Sequence, residues 1–409
     1  MTHQRNEKLL DAARRFLVAN YKQQPIVLSR GEGVYVWDVL GNRYLDMTSG
    51  IAVCCLGHAH PKLVSAVATQ AARLIHVSNL YYIETQILLA EALVTRSFAH
   101  RVFFCNSGGE ANEAALKLAR RYQQVVAKRP ERITVLATEG SFHGRTIATL
   151  SATGQEKYRQ NFGPLWGPVR FVPYGDLDAA RAVLAEGTVC AVLVEPIQAE
   201  GGLIVPPEGY LKALAAAARE AGALVIFDEV QTGVGRTGTW FGYEQEDVAP
   251  DIMTLAKGLA GGVPIGAMLA NAEVAEGFVP LPNEPATHAS TFGGNPLACA
   301  ASLAVLDVIE SEALLDSCRQ AGEYLGRGLD KLAQKYAPLA VEARGRGLLR
   351  GLKVARDAAP LVARCREKGL LLSLAGASVL RFAPALIVRR DELDAALTIL
   401  GEALAERMT

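Results

Sequence analysis

Short, wholly apolar runs alternate along this chain with longer stretches in which apolar residues recur every three or four positions. Residues 102–105, 133–137, 169–172, 191–194 and 223–227 read as strands buried on both faces, and the spans between them, such as 110–127, as amphipathic helices. Strands that alternate with helices in this way predict an α/β fold with a large, mainly parallel sheet covered by helices. Ahead of that region, residues 6–21 have helical spacing, and 33–38 with 42–46 predict two strands around a turn at Gly41. Behind it the pattern changes to a helix running from Asn295 through Glu310 and another near 315–336. Strands follow around 347–353 and 379–382, and a closing helix spans 391–407, so the chain ends as a smaller α+β unit.

Length and composition agree with this division. The chain has 409 residues, half of them apolar, and chains beyond about 250 to 300 residues usually split into more than one domain. Forty-two basic and 42 acidic residues cancel without a run of five like charges, so neither nucleic acid nor an anionic membrane is an expected partner. No stretch reaches the roughly 18 apolar residues of a membrane span, and the first residues lack an apolar secretory core. The seven cysteines lack CxxC spacing and read as small buried apolar residues in a reducing cytoplasm. Small-molecule chemistry is the expectation that remains.

Candidate chemistry gathers where the apolar runs end. They terminate in 106–110, 142–145, 195–198, 228–231 and 257–258, and ligands of parallel α/β sheets bind at the carboxyl ends of strands. Lys257 follows the run 251–256 and precedes a glycine-rich stretch, a setting in which it could carry a Schiff base. Asp228 closes another run and is the acid that a protonated pyridine ring requires as its partner. Together they suggest pyridoxal phosphate. Ser107, Gly108 and Gly109 stand just ahead of a helix, where a hydroxyl and free backbone N–H groups would receive a phosphate. Arg145 and Arg381 each have the guanidinium that grips a carboxylate through two parallel hydrogen bonds, and each is equally readable as a structural ion pair. His58, His60, His143 and His288 read as hydrogen-bonded turn residues, and no metal is assigned.

The runs Asn106-Ser-Gly-Gly-Glu-Ala-Asn-Glu-Ala, Phe142-His-Gly-Arg-Thr, Asp228-Glu-Val-Gln-Thr-Gly-Val-Gly-Arg-Thr-Gly, Ala256-Lys-Gly and Thr291-Phe-Gly-Gly-Asn-Pro resemble the class III pyridoxal phosphate aminotransferases along nearly the whole chain. Within that class, Gly50-Ile-Ala-Val, Leu56-Gly-His-Ala-His-Pro and Ser78-Asn-Leu-Tyr-Tyr are most similar to the acetylornithine aminotransferases. The resemblance implies a fold-type I enzyme. Its large cofactor domain would span residues 58–296, with a small domain built from 1–57 and 297–409, in a homodimer whose active sites lie at the interface. It further implies that Phe142 and Val230 sandwich the ring, that Gln231 approaches the ring hydroxyl, and that Thr291 reaches the phosphate of the neighbouring subunit's cofactor. By the same resemblance Arg145 and Arg381 bind substrate carboxylates, Glu200 gates Arg381, and 2-oxoglutarate accepts the amino group. Acetylornithine, succinylornithine, ornithine and 4-aminobutyrate all remain open as donors. Two positions depart from the family pattern: Gly109 replaces a usual threonine or alanine, and Ala199 a usual glycine.

One rival reading comes from Gly233-Val-Gly-Arg-Thr-Gly238, which matches the dinucleotide pattern G-x-G-x-x-G after a strand. That pattern must open a helix. The aromatic stretch 239–243 that follows reads instead as loop or strand, so a nicotinamide oxidoreductase is disfavoured.

Overall fold

The computed structural model describes residues 2–408. Among the described residues fifteen strands form three sheets. The first holds β1 (Leu28–Glu32), β2 (Tyr35–Asp38) and β3 (Arg43–Asp46). Seven more follow in chain order: β4 (Arg101–Cys105), β5 (Thr134–Thr138), β6 (Val169–Val172), β7 (Val189–Val194), β8 (Leu224–Asp228), β9 (Ile252–Leu255) and β10 (Gly266–Ala270). The last five are β11 (Ala340–Arg346), β12 (Leu349–Val354), β13 (Leu370–Leu371), β14 (Ser373–Ala375) and β15 (Val379–Phe382).

The large sheet has the order β4-β10-β9-β8-β7-β5-β6. Its strands β9, β8, β7, β5 and β6 are mutually parallel, whereas β10 runs antiparallel to both β4 and β9. Every residue of β5, β7, β8, β9 and β10 is buried, the expected signature of strands covered on both faces. One cover is helix Gly108–Arg121, which buries Ala111, Ala114, Ala115 and Leu118. Another is helix Tyr210–Glu220, which buries Leu211, Leu214, Ala215 and Ala218. The helix expected over 110–127 ends earlier as α-helix and continues as a π-turn, Tyr122–Val126.

The two ends of the chain meet. Strand β13 pairs parallel with β3, Leu370 opposite Leu45, in the sheet β1-β2-β3-β13. Ala383 N–H donates to Met47 O and Leu386 N–H to Cys55 O, both in the segment that leads into the large sheet. The expected strand around 347–353 is a hairpin, β11 to β12, with Gly347 in the turn at φ 53°. A Cβ there would lie 2.5 Å from the backbone carbon of Thr237, so the bare glycine lets this turn approach the large unit.

Candidate active site

The ends of β8 and β9 and the entry to helix Gly108–Arg121 enclose a cavity of about 340 Å³. Ser107, Gly108, Gly109, Phe142, Asp228, Val230, Gln231 and Lys257 all line it, so the structure brings together eight residues that the sequence singled out. At its floor is helix Gly108–Arg121, whose start is fixed reciprocally. Ser107 Oγ accepts from Glu110 N–H at 3.2 Å, and Glu110 Oε2 accepts from Asn106 N–H at 2.9 Å. Gly108 and Gly109, the first two residues of this helix, line the cavity at the positive end of its dipole. Gly108 has to be glycine, because a Cβ would stand 2.8 Å from Val230 Cγ1.

Asp228 is buried and tightly held. Its Oδ2 accepts from Asn112 Nδ2 at 2.7 Å and lies 2.8 Å from His143 Nδ1, a pairing that puts the imidazole proton on Nδ1. Oδ1 accepts from Val230 N–H at 3.1 Å and, among the described residues, from nothing else. Asn112 also donates to His143 O (2.8 Å) and accepts from Thr254 Oγ1 (2.8 Å), tying helix, strand and loop into one network. His143 Nε2 is buried without a hydrogen-bond partner among the described residues. His143 is thus more than a turn residue, since it braces the carboxylate.

Lys257 follows β9 in a left-handed backbone conformation, φ 44°, uncommon for a residue with a side chain. Burial holds its ammonium below the ordinary lysine range, opposed by the negative charges of Glu200 and Asp228. Glu195, at the end of β7, is pushed well above the ordinary carboxylate range by burial and by Asp228. Its Oε2 accepts from Phe142 N–H at 3.1 Å.

The two arginines stand outside the cavity lining in opposite states. Arg381 on β15 is buried, and its Nη1 donates to Glu200 Oε1 and, at 3.0 Å, to Gln231 Oε1, while Nε donates to Ser373 Oγ at 3.1 Å. Burial would raise the Glu200 carboxyl, but the Arg381 guanidinium outweighs it and holds Glu200 below the usual carboxylate range. Arg145 is exposed beside Phe142, its Cζ 5.5 Å from that ring. Thr291 is also exposed and lines no part of its own chain's cavity.

Asn112, Glu195 and Ser373 joined the site without a role having been assigned to any of them. Asn112 had a legible signal, since it interrupts the alanine- and leucine-rich buried face of its helix, and a buried amide must find partners. Glu195 heads the strand end 195–198, but its bond to Phe142 N–H, like that of Ser373 to Arg381, arises only through the fold.

A pyridine ring with a phosphate arm matches these residues on three observations. One oxygen of Asp228 keeps an unused lone pair, the glycine cradle leaves no room for a Cβ at Gly108, and a helix start lines the cavity at Gly108 and Gly109. The dinucleotide pattern fails its test. After β8, residues 233–238 form a turn that leads to a short 3₁₀ segment, Gly242–Glu246, and no α-helix opens there.

Known proteins agree with this geometry. The family model described as "Aminotransferase class-III" matches residues 17–404. The acetylornithine aminotransferase of Gloeobacter violaceus is 50% identical over 381 residues, 93% of either chain. That of Thermosynechococcus vestitus is 50% identical over 404 residues, 97% of this chain and 96% of its own. Among solved structures, the ornithine aminotransferase of Toxoplasma gondii has a TM-score of 0.93 at 34% identity, over 98% of this chain and 96% of its own. The N-acetylornithine aminotransferase of Stenotrophomonas maltophilia has a TM-score of 0.83 at 36% identity, over 98% and 99%. With a family model that matches residues 17–404, almost its whole length, this chain belongs to the class III aminotransferases.

Proposed function

We propose that this protein transfers the ω-amino group of N2-acetylornithine to 2-oxoglutarate, giving N-acetylglutamate semialdehyde and glutamate, a step of arginine biosynthesis. The observation that carries this reading is the unequal state of the two arginines. Arg381 is closed by Glu200, whereas the donors of Arg145 make no hydrogen bond or ion pair among the described residues. An ω-amine donor presents its α-carboxylate far from the reacting carbon, so it needs the distant open cation and must not be captured by the near one. Glutamate reacts beside its own α-carboxylate and needs Arg381 freed. Glu200 therefore swings away in that half-reaction, and Arg145 then takes the side-chain carboxylate.

Pyridoxal phosphate is the cofactor, and when bound it supplies the carbonyl carbon that receives the amine and the electron-withdrawing ring that acidifies the donor carbon. Ser107 and the N–H groups of Gly108 and Gly109 would hold the phosphate, Phe142 and Val230 would flank the ring, and Gln231 would face its hydroxyl, all of them lining the cavity. Asp228, its carboxylate oriented by Asn112 and His143, would keep the ring nitrogen protonated. Lys257 Nζ, its basicity lowered by burial, takes the proton from the donor's reacting carbon.

The active species in this reading is a cytoplasmic homodimer with a large domain over 58–296 and a small domain from 1–57 and 297–409. The seven free cysteines fit a reducing compartment. The contacts of β13 with β3 and of Ala383 with Met47 support joining the chain ends. Leu80, Tyr81, Tyr82 and Phe292 are exposed on neighbouring segments tied together by Asn79 Nδ2, which donates to Ser290 O and Gly293 O. Thr291 lies within this apolar patch, which a second copy would cover.

The purified protein should be yellow and lose that colour on adding an amine donor. In a donor panel with 2-oxoglutarate, acetylornithine should give the highest kcat/KM, and Glu200→Ala should shift preference toward α-amino donors by roughly 10-fold, the scale of a buried charge pair. A higher value for 4-aminobutyrate, ornithine or succinylornithine would reassign the donor. An unchanged preference in Glu200→Ala would remove the gate.

A further inference from the structure

Arg145 is exposed and, among the described residues, has no carboxylate partner, yet it is not loose. Its Cζ lies 4.1 Å from the ring centroid of Tyr158 and 5.5 Å from that of Phe142. The two rings meet edge to face, centroids 5.7 Å apart at 82°, so the guanidinium sits in the corner they form. Phe142 already belongs to the cavity wall. Tyr158 does not line the cavity, and nothing so far gives it a role.

The turn that carries Tyr158, Glu156–Arg159, is itself anchored. Arg159 Cζ stacks 4.5 Å from the Phe171 ring on β6, Gln155 Nε2 donates to Ser141 O at 3.3 Å, and Tyr158 N–H donates to Gln155 O at 3.0 Å. The Tyr158 hydroxyl makes no hydrogen bond among the described residues, so the ring is the part in use. A second cation, Lys157 Nζ, lies 4.8 Å from the same ring, but only Arg145 also reaches Phe142.

We propose that Tyr158 is a positioning residue for substrate carboxylates, whose ring holds the Arg145 guanidinium beside the Phe142 wall with its N–H donors free. The inference rests on the reading of Arg145 as the open carboxylate site. Its physical basis is the directionality of the two interactions. A cation–π contact draws the charge of the guanidinium toward the ring, while a carboxylate is bound through N–H groups directed in the guanidinium plane, so the first does not consume the second. An exposed arginine without such a contact would sample many rotamers and lose that freedom on binding. Holding it beforehand removes part of the cost. Arg381, by contrast, is held by hydrogen bonds that a substrate must displace. The pair thus divides the work, with one cation preorganised by aromatic faces and always available, and the other masked until Glu200 leaves.

The test compares Tyr158→Leu, Tyr158→Phe and Arg145→Ala in the holoenzyme. The readouts are KM for the amino donor and for 2-oxoglutarate, kcat, and the Kd of glutarate, a dicarboxylate that cannot be transaminated. Tyr158→Leu is expected to raise both KM values and the glutarate Kd by about 3- to 10-fold, the range a partly exposed cation–π contact supplies, with little change in kcat. Tyr158→Phe keeps the ring and is expected to keep wild-type affinity. Wild-type affinity in Tyr158→Leu alongside a loss in Arg145→Ala overturns this inference alone. So does a loss in Tyr158→Phe as large as in Tyr158→Leu, or a Tyr158→Leu defect that falls on kcat. Wild-type values in Arg145→Ala overturn the reading of Arg145 and the inference with it.

Discussion

Adjacent residues with the same side chain do different work in the Gly108–Gly109 pair. A Cβ on Gly108 would push against Val230 at 2.8 Å and move one wall of the cavity, so Gly108→Ala should weaken pyridoxal phosphate binding. A Cβ on Gly109 would meet only Thr146 Cγ2 at 3.8 Å and Ser107 Oγ at 3.9 Å, ordinary contact distances. Gly109 lies in the first turn of helix Gly108–Arg121, where alanine is the better helix former and leaves less backbone freedom to lose. Gly109→Ala should therefore stabilise the protein by about 0.4–1 kcal/mol and tighten the cofactor. Titrating each apoenzyme with pyridoxal phosphate, together with thermal melting, checks both halves, and a weaker cofactor complex in Gly109→Ala than in Gly108→Ala would reverse the assignment. The departure from the family pattern at Gly109 is then an unused opportunity for stability, and the residue that cannot change is its neighbour.

Strand ends position the chemistry, and β8 shows how much a single end must carry. Asp228 faces the cavity, while Glu229, the next residue, turns into the protein and accepts from Gly242 N–H (2.7 Å), Tyr243 N–H (2.7 Å) and Thr232 Oγ1 (2.6 Å). It fixes the loop that follows Val230 and Gln231, and no cation among the described residues pairs with it. Burial outweighs those hydrogen bonds and raises its carboxyl from the ordinary 4.5 to about 7. The folded protein therefore holds this proton more tightly than the unfolded chain does, so the stability it contributes is full below about pH 4.5 and is lost as pH rises through about 7. Glu229→Gln should flatten that decline: the melting temperature of the wild type relative to the variant should fall between about pH 5 and 7 and level off above about 8. A gap that does not change with pH would contradict it. Such strand ends were legible in the sequence because wholly buried strands read as continuous apolar runs that stop where polar residues begin. Lys257, Asp228 and Ser107 were singled out that way and all three line the cavity, and the aromatic stretch after Gly238 correctly argued against a dinucleotide helix. The antiparallel β10 was not seen, since Gly266–Ala270 follows glycines that read as loop. The bond of Arg381 to Ser373 and that of Phe142 to Glu195 join residues that no periodicity links, and only the folded chain brings them within reach.

At the scale of the whole molecule, Thr291 is the residue that one chain does not explain. It is exposed, lines no part of its own cavity, and lies next to Phe292 in an apolar patch with Leu80, Tyr81 and Tyr82. A shared site of this kind needs an interface of about 2,000 Å² or more, so the active species should scatter light as a dimer or larger. The sharper prediction uses two inactive or weakened chains. Lys257→Ala lacks the lysine of its own site but still offers Thr291 to its partner, whereas Thr291→Ala keeps Lys257 and withholds the phosphate contact. In each parent dimer every site is defective. In the hybrid dimer, the site with an intact Lys257 receives its Thr291 from the other chain and is complete, while the second site lacks both residues. Mixing the two chains under conditions that exchange subunits should therefore raise cofactor affinity and turnover above both parents, approaching half of the wild-type activity in a pure hybrid. If Thr291 served its own chain, the intact lysine and the intact threonine would lie in different sites of the hybrid, and mixing would give only the average of the parents. Measuring the isolated hybrid, with distinct tags on the two chains, separates these outcomes: the average alone would confine Thr291 to its own subunit and remove the structural reason for a shared site.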